Sequence, residues 1–203
     1  MSNKIERKVI KLAIFGDAPG KTSICNTFIY NQYNERTITT IGLEKFEKKI
    51  KMKDGKEIQL ILFDTDSSYR FRSRSLSICN KVQGAFVCFN LTRRQTLEGI
   101  NLWLEEIKNL NKNIEIVLLG NKCDMNDERE ITIEEAEKFA EKCSLPYFET
   151  SAKKNININE AVFFLASLLY EKKIFAKKNI YANKLSKFHK TFSSFKLSKF
   201  QNY

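Results

Sequence analysis

The sequence predicts an α/β fold three layers deep, a mostly parallel six-stranded sheet flanked by helices. Three observations predict it. Strand-like and helical runs alternate along the chain, the pattern of β–α–β units. A single hairpin interrupts the alternation, where Asp54-Gly55 turns one extended run into another. The apolar runs that read as buried strands each lead into a short polar stretch carrying distinctive chemistry. That arrangement is expected where ligands bind at the carboxyl ends of parallel strands.

The elements follow in order. Val9 to Phe15 is continuously apolar apart from Lys11 and reads as the first, buried strand. Lys21 to Tyr30 is helical. Phe46, Ile50 and Met52 share one side of an extended run, and after the turn Glu57 to Phe63 returns beside it. Ala85 to Asn90 is a buried strand, followed by a helix from about Gln95 to Leu110. Ile114 to Leu119 is the next buried strand. Thr132 with Glu135 forms a capping box that opens a helix to Lys142. Pro146 to Glu149 is a short strand, and a last helix runs from Asn159 or Glu160 to Lys172 with Ala161, Phe164, Leu165 and Leu168 inward. Residues 1–172 form one domain, and residues 173–203 form a basic, aromatic tail.

Gly16-Asp17-Ala18-Pro19-Gly20-Lys21-Thr22-Ser23 stands between the first strand and the first helix. It is nearly a phosphate-binding loop. In such loops backbone N–H groups and the helix N-terminus cradle phosphates, a lysine ammonium reaches the outer ones, and a Ser/Thr hydroxyl ligates Mg²⁺. Lys21 and Thr22 fill those two roles. The usual spacing has four residues between the first Gly and Gly-Lys; here there are three, Asp17, Ala18 and Pro19, and Pro19 has no N–H to donate.

Two later segments specify the base. Asn121-Lys122-Cys123-Asp124 follows a strand and Gly120. A carboxylate fixed there, Asp124, accepts from the N1–H and 2-amino group of guanine, donors that adenine does not offer together. Thr150-Ser151-Ala152-Lys153 follows the next strand, where a backbone N–H meets the guanine O6.

With these motifs in that order, the chain resembles a small GTPase of the Ras superfamily, most closely the Rab branch, over roughly Lys8 to Lys172. The resemblance implies the P-loop NTPase fold, GTP/GDP as ligand and Mg²⁺ as cofactor. It implies nucleotide contacts from Gly16, Asp17, Ala18, Gly20, Lys21, Thr22, Ser23, Asn121, Lys122, Asp124, Ser151, Ala152 and Lys153. Thr39-Thr40-Ile41-Gly42 resembles the first switch, in which Thr40 closes over the γ-phosphate and Mg²⁺; Tyr33, in its approach, matches an aromatic that stacks on the base. Phe63-Asp64-Thr65 resembles the strand end that holds Mg²⁺ through water, so Thr22, Thr40 and Asp64 form the implied metal set. Arg70-Phe71-Arg72 resembles the second switch, and Leu102 to Ile107 the helix after the fourth strand. Effectors, exchange factors and GTPase-activating proteins are the implied partners through the two switches, and membrane traffic the implied setting.

The second switch departs from the family pattern. Where the family has Ala-Gly-Gln after Asp-Thr, this chain has Asp66-Ser67-Ser68. The family glutamine orients the attacking water; Ser68 is too short for that reach. Ser67 lacks the φ range of glycine, and Asp66 adds a carboxylate near the phosphates. Slow intrinsic hydrolysis is expected unless a partner supplies the missing groups. The alternative is an interaction module that binds nucleotide weakly or without turnover.

The chain of 203 residues suits one domain with a sizeable core. No stretch approaches the ~18 apolar residues of a membrane span, and Met1 to Lys11 lacks an apolar signal core. The five cysteines form no C-x-x-C pair and read as free thiols of a reducing compartment, with Cys25 and Cys88 facing the core. The net charge of +11 is concentrated in the tail, whose nine lysines from Lys172 onward leave the remainder near +2. That argues against a nucleic-acid groove on the domain, and no nucleic-acid partner is expected. Ser2 replaces the glycine that myristoylation needs, and the last cysteine is Cys143, so no lipid anchor is expected. Instead Tyr181, Leu185, Phe188, Phe192 and Phe195 step by 4, 3, 4 and 3, a narrow helical stripe among lysines. Three readings stand for it: a helix lying on an anionic membrane surface, a helix docked on the domain or a partner, or a segment without fixed structure. A monomer is expected, cytoplasmic, and peripheral on an intracellular membrane if the first reading holds.

Overall fold

The computed structural model describes residues 8–34, 42–66 and 69–178. Thr39, Thr40, Ile41, Ser67, Ser68 and the stripe from Tyr181 to Phe195 lie outside the described residues. Packing divides the chain into one unit ending at Leu169 and another from Tyr170; the sheet and the loops at its edges belong to the first.

The sheet has six strands in the order β2-β3-β1-β4-β5-β6. They are β1 (Val9–Phe15), β2 (Leu43–Lys51), β3 (Glu57–Thr65), β4 (Gly84–Asn90), β5 (Glu115–Asn121) and β6 (Tyr147–Thr150). All neighbours run parallel except β2, which pairs antiparallel with β3 from Leu43↔Thr65 to Lys51↔Glu57. This is the P-loop GTPase arrangement. The burial explains the sequence pattern. Every residue of β4 is buried, as a parallel strand covered on both faces must be. Edge strand β2 alternates instead, burying Phe46 and Ile50 while Lys45, Lys49 and Lys51 stay at least partly exposed, and lysines along an edge oppose pairing with another chain.

The helices are α1 (Lys21–Tyr30), α2 (Arg72–Leu76), α3 (Arg94–Glu98), α4 (Ile100–Leu110), α5 (Ile133–Lys142) and α6 (Ile158–Lys178). On one face of the sheet, Phe15, Val87, Phe89 and Leu118 pack with Ile100, Trp103 and Ile107 of α4. Phe15 and Trp103 lie with ring centroids 5.8 Å apart. At α5 the N–H of Glu135 donates to Thr132 Oγ1 at 3.2 Å, the cap expected from the sequence.

Three elements differ from expectation. The helix expected from Gln95 to Leu110 is two, broken at Gly99, where the side chain of Asp17 approaches. Helix α2 was not expected, because Arg-Phe-Arg-Ser-Arg-Ser-Leu shows little apolar periodicity. It is held by Ser75 Oγ donating to the Asp66 carbonyl at 3.1 Å and by burial of Arg72 and Leu76. The last helix starts at Ile158 and continues past Lys172 to Lys178, since Ile174-Phe175-Ala176-Lys177-Lys178 contains no helix breaker. No described helix is long and apolar enough to cross a membrane.

Ile116 is 4% exposed in the amino-terminal half of β5, away from the carboxyl edge. Ile116→Ala should lower stability by about 2–5 kcal/mol through lost burial and a residual cavity, measured as a shift in denaturant midpoint at unchanged slope.

Candidate functional site

Four loops meet at the carboxyl edge of the sheet, following β1, β3, β5 and β6. The first, Gly16 to Gly20, is fixed by a close approach. A Cβ on Gly16 would lie 2.1 Å from the Cys88 carbonyl oxygen, and Gly16 also has φ +123°, so no other residue fits without moving the loop off β4. Gly20 is the N-cap of α1, whose first-turn N–H groups open into the loop. Lys21 is 3% exposed. Its Nζ donates to the Gly16 carbonyl at 2.7 Å and the Ala18 carbonyl at 3.4 Å, placing the ammonium inside its own loop. Burial lowers its pKa, and the nearby Asp64 carboxylate opposes that shift. Ala18 and Ser23 are buried. Asp17 turns its side chain away from the loop, toward Trp103, so its offering to a phosphate is main chain.

Thr22 Oγ1 donates to Asp64 Oδ2 at 2.5 Å. One side chain comes from α1 and the other from the end of β3, and Asp64 is fully buried. A hydroxyl beside a carboxylate is an all-oxygen donor pair, the hard ligand set Mg²⁺ favours, with room for water and phosphate oxygens in the remaining positions. The residues present therefore fit the ion implied by the sequence. Thr40, the third implied ligand, lies outside the described residues.

The loops after β5 and β6 are locked to each other and to the region of the loop after β1 and α1. Asn121, 2% exposed, accepts from Thr150 Oγ1 at 3.3 Å through its Oδ1. A Cβ on Gly20 would fall 2.7 Å from its Nδ2. Cys123 N donates to the Thr150 carbonyl at 3.0 Å. Thr27 Oγ1 of α1 donates to the Ala152 carbonyl at 3.1 Å. Lys122 adopts φ +67°, turning the chain so that Asp124 follows at the rim, half-buried. Ser151 is fully buried and its Oγ accepts from Lys154 N at 2.9 Å; Lys153 is exposed. Tyr33 is 40% exposed just beyond α1.

Sequence reasoning missed the brace beneath these loops. Arg129 donates to both carboxylate oxygens of Glu149, at 3.0 and 2.7 Å, and Tyr147 Oη adds a bond at 3.1 Å to Oε1. Asn157 Nδ2 donates to the Glu149 carbonyl at 2.7 Å. This bidentate pair is mostly buried and directional. No spacing rule could have found it, because Arg129 sits in a connecting loop. The structure also gives the surroundings of Asp66. Asp66 is 2% exposed; its N–H donates to the Gly42 carbonyl at 3.1 Å, and its Oδ2 accepts from Gly42 N at 3.5 Å. The cysteines are free. Burial pushes the Cys88 thiol up to about 12 and Cys25 well above its ordinary value, so both stay protonated near neutrality.

Comparison with known proteins agrees with this geometry. The Ras family matches over residues 11–171. The chain belongs to the Ras family. Within it the chain is Rab-like. It is 35% identical over 164 residues to Ras-related protein Rab11A of Lotus japonicus, covering 80% of this chain and 72% of that one. It is 35% identical over 174 residues to Ras-related protein Rab-10 of Diplobatis ommata, covering 85% and 86%. Against the GTP-binding protein ypt2 of Schizosaccharomyces pombe it is 31% identical over 176 residues, covering 86% and 88%.

Gly16→Ala tests the site's geometry directly. With a contact of 2.1 Å to relieve, this Rab-like chain should show faster hydrogen exchange across residues 16–22 and at least tenfold weaker GDP binding, on the order of 1.4 kcal/mol. Titration of the purified variant with a fluorescent GDP analogue would measure the latter.

Proposed function

We propose that this chain is a guanine-nucleotide switch of the Rab type, acting with Mg²⁺ in membrane traffic, and that its intrinsic GTP hydrolysis is slow. One observation carries the reading: the phosphate loop, the Thr22–Asp64 pair and the Asn121–Asp124 and Ser151–Lys153 loops converge on one edge and are tied together by Thr27, Asn121 and Thr150. Each part has a role. Lys21 and the first turn of α1 hold the phosphates. Thr22 and Asp64 hold Mg²⁺, which when bound neutralises charge between the outer phosphates. Asp124 accepts the two guanine donors, and the loop at Ala152 faces O6.

Hydrolysis needs a water aligned on the γ-phosphorus; its oxygen forms the new P–O bond as the bond to the β-phosphate oxygen breaks, leaving GDP and phosphate. In the family a glutamine aligns that water. Here Ser68 stands at its place and Ser67 at the preceding glycine. A partner that supplies an arginine in trans raises such rates by about 10³–10⁵. Effectors and exchange factors would engage the two switches.

A second reading, an interaction module without turnover, is favoured by the phosphate loop, one residue short and interrupted by Pro19. Nucleotide content of the purified chain together with a single-turnover GTP assay separates the two readings. Bound guanine nucleotide with slow release of phosphate supports the switch; an empty chain with no measurable affinity supports the module.

The chain should bind GDP analogues far more tightly than ADP analogues, and Asp124→Asn should move the preference toward xanthine nucleotides, because one acceptor becomes a donor. Equal affinity for adenine and guanine in competition titrations would remove the guanine reading. For turnover, the pair Ser67→Gly and Ser68→Gln should raise single-turnover hydrolysis of bound GTP by on the order of tenfold or more, the scale of one aligned contact in the transition state. An unchanged rate would locate the defect in the phosphate loop instead.

A further inference from the structure

Asp17 is the second residue of the phosphate loop, yet its side chain serves another part of the fold. Its Oδ1 accepts the indole N–H of Trp103 at 3.0 Å and lies 3.8 Å from Nη1 of Arg72. Arg72 belongs to α2, and its Nε donates to Glu106 of α4 at 2.5 Å. The guanidinium carbon sits 3.9 Å over the centroid of the Trp103 ring. Trp103 is 1% and Arg72 7% exposed. Gly99 leaves room for this approach, since a Cβ there would lie 3.0 Å from Asp17 Oδ2 and press on it. One loop carboxylate is therefore the meeting point of the phosphate loop, α2 and α4.

We propose that Trp103 and Arg72 are positioning residues for nucleotide binding, which hold the shortened phosphate loop in its binding shape through Asp17 and tie that shape to α2. The proposal rests on reading the site as one for guanine nucleotide. The loop's other side-chain tie runs from Lys21 Nζ to the Gly16 and Ala18 carbonyls, and that ammonium is the group phosphates draw on, so it is shared between loop and ligand. The Asp17 anchor is independent of the ligand. Pro19 supplies no N–H to stiffen the loop from within, so a bond from outside carries more of its order. The anchor itself is strong in kind: an N–H to carboxylate bond whose donor is buried and whose acceptor is partly exposed, with a cation stacked on the donor's ring. Arg72 also stands between Asp17 and Glu106. Removing its charge leaves two carboxylates around one indole, and their repulsion works against the Asp17 bond.

The test uses the full chain, with two readouts: dissociation of a fluorescent GDP analogue, and hydrogen exchange of residues 16–22 in the nucleotide-free protein. Trp103→Phe keeps the ring and removes the donor; Arg72→Met keeps much of the packing and removes the charge. Each should speed GDP release by on the order of tenfold, the scale of one hydrogen bond to a charged group. Each should also raise exchange in residues 16–22, and the double variant should release GDP more slowly than the product of the two effects, since both act through Asp17. Ile116→Ala controls for lost stability and should leave both readouts unmoved. Asp17→Asn, which keeps an acceptor for the indole, should fall between wild type and Asp17→Ala, and it carries the test if Trp103→Phe fails to fold. Wild-type release and wild-type exchange in Trp103→Phe or, failing that, in Asp17→Ala overturn the proposal. If the unaltered chain binds no guanine nucleotide, the functional reading fails by itself. The exchange readout on the free chain then decides: faster exchange in residues 16–22 upholds the anchor, and unchanged exchange overturns it.

Discussion

Strand β1 is hydrogen-bonded on both sides, to β3 from Val9↔Gln59 to Ile14↔Asp64 and to β4 from Leu12↔Gly84 to Phe15↔Val87. Its carboxyl end therefore opens at the point where the chain passes to either side of it, the crevice in which open α/β sheets bind ligands. The constraint is tightened by Gly16. Backbone of the phosphate loop lies so close to the Cys88 carbonyl that a single methyl group would overlap it. The loop has nowhere to go except over the end of β4, and this fixes where Lys21 and the first turn of α1 stand. Every other part of the site is placed relative to that contact: Asp64 by the β1–β3 register, Asn121 by β4 against β5, Thr150 by β5 against β6.

Much of this was legible in the sequence, for a physical reason. Parallel strands buried on both faces leave near-continuous apolar runs, so β1 and α1 could be bounded from Val9, Phe15, Lys21 and Tyr30 alone. The chemistry-bearing residues are legible because phosphate and guanine each demand particular donors at fixed chain spacing. What could not be read were the effects of contacts between residues distant in sequence. Trp103 meets Asp17 across a separation of 86 residues, and the Asp17 side chain also comes close to Gly99, where what reads as one continuous helix divides. Arg129 braces Glu149 from a loop with no periodicity at all. Helix α2 owes its existence to Ser75, Arg72 and Leu76 meeting other elements, not to any intrinsic pattern in its five residues.

The two braces divide the work. Arg129–Glu149 lies beneath the loops after β5 and β6, and its bidentate geometry fixes the end of β6 where Thr150 and Ser151 begin. Arg72–Asp17–Trp103 lies beneath the phosphate side. Both use arginine, whose planar fork holds its direction in partly dry surroundings where lysine would not. Each fixes a polar loop through side chains from distant parts of the sequence, and a loop already held in shape costs less to order on binding.

Asp66 shows the same logic at the head of the second switch. On sequence alone its carboxylate is an extra negative charge beside phosphates and works against binding. The structure gives it a different employment: its N–H and carboxylate both engage the backbone of Gly42. Gly42 immediately follows residues 35–41, and Asp66 immediately precedes residues 67–68. Asp66 N donates to the Gly42 carbonyl one step beyond the last pair of the β2–β3 ladder, Leu43↔Thr65, while the Gly42 N–H turns to the Asp66 carboxylate. That carboxylate is 2% exposed and accepts from a backbone N–H at 3.5 Å. The residue at this position therefore ties the chain just before residues 67–68 to the chain just after residues 35–41. Asp66 is thus engaged with the residue that precedes β2, whereas Ser67 and Ser68 lie outside the described residues.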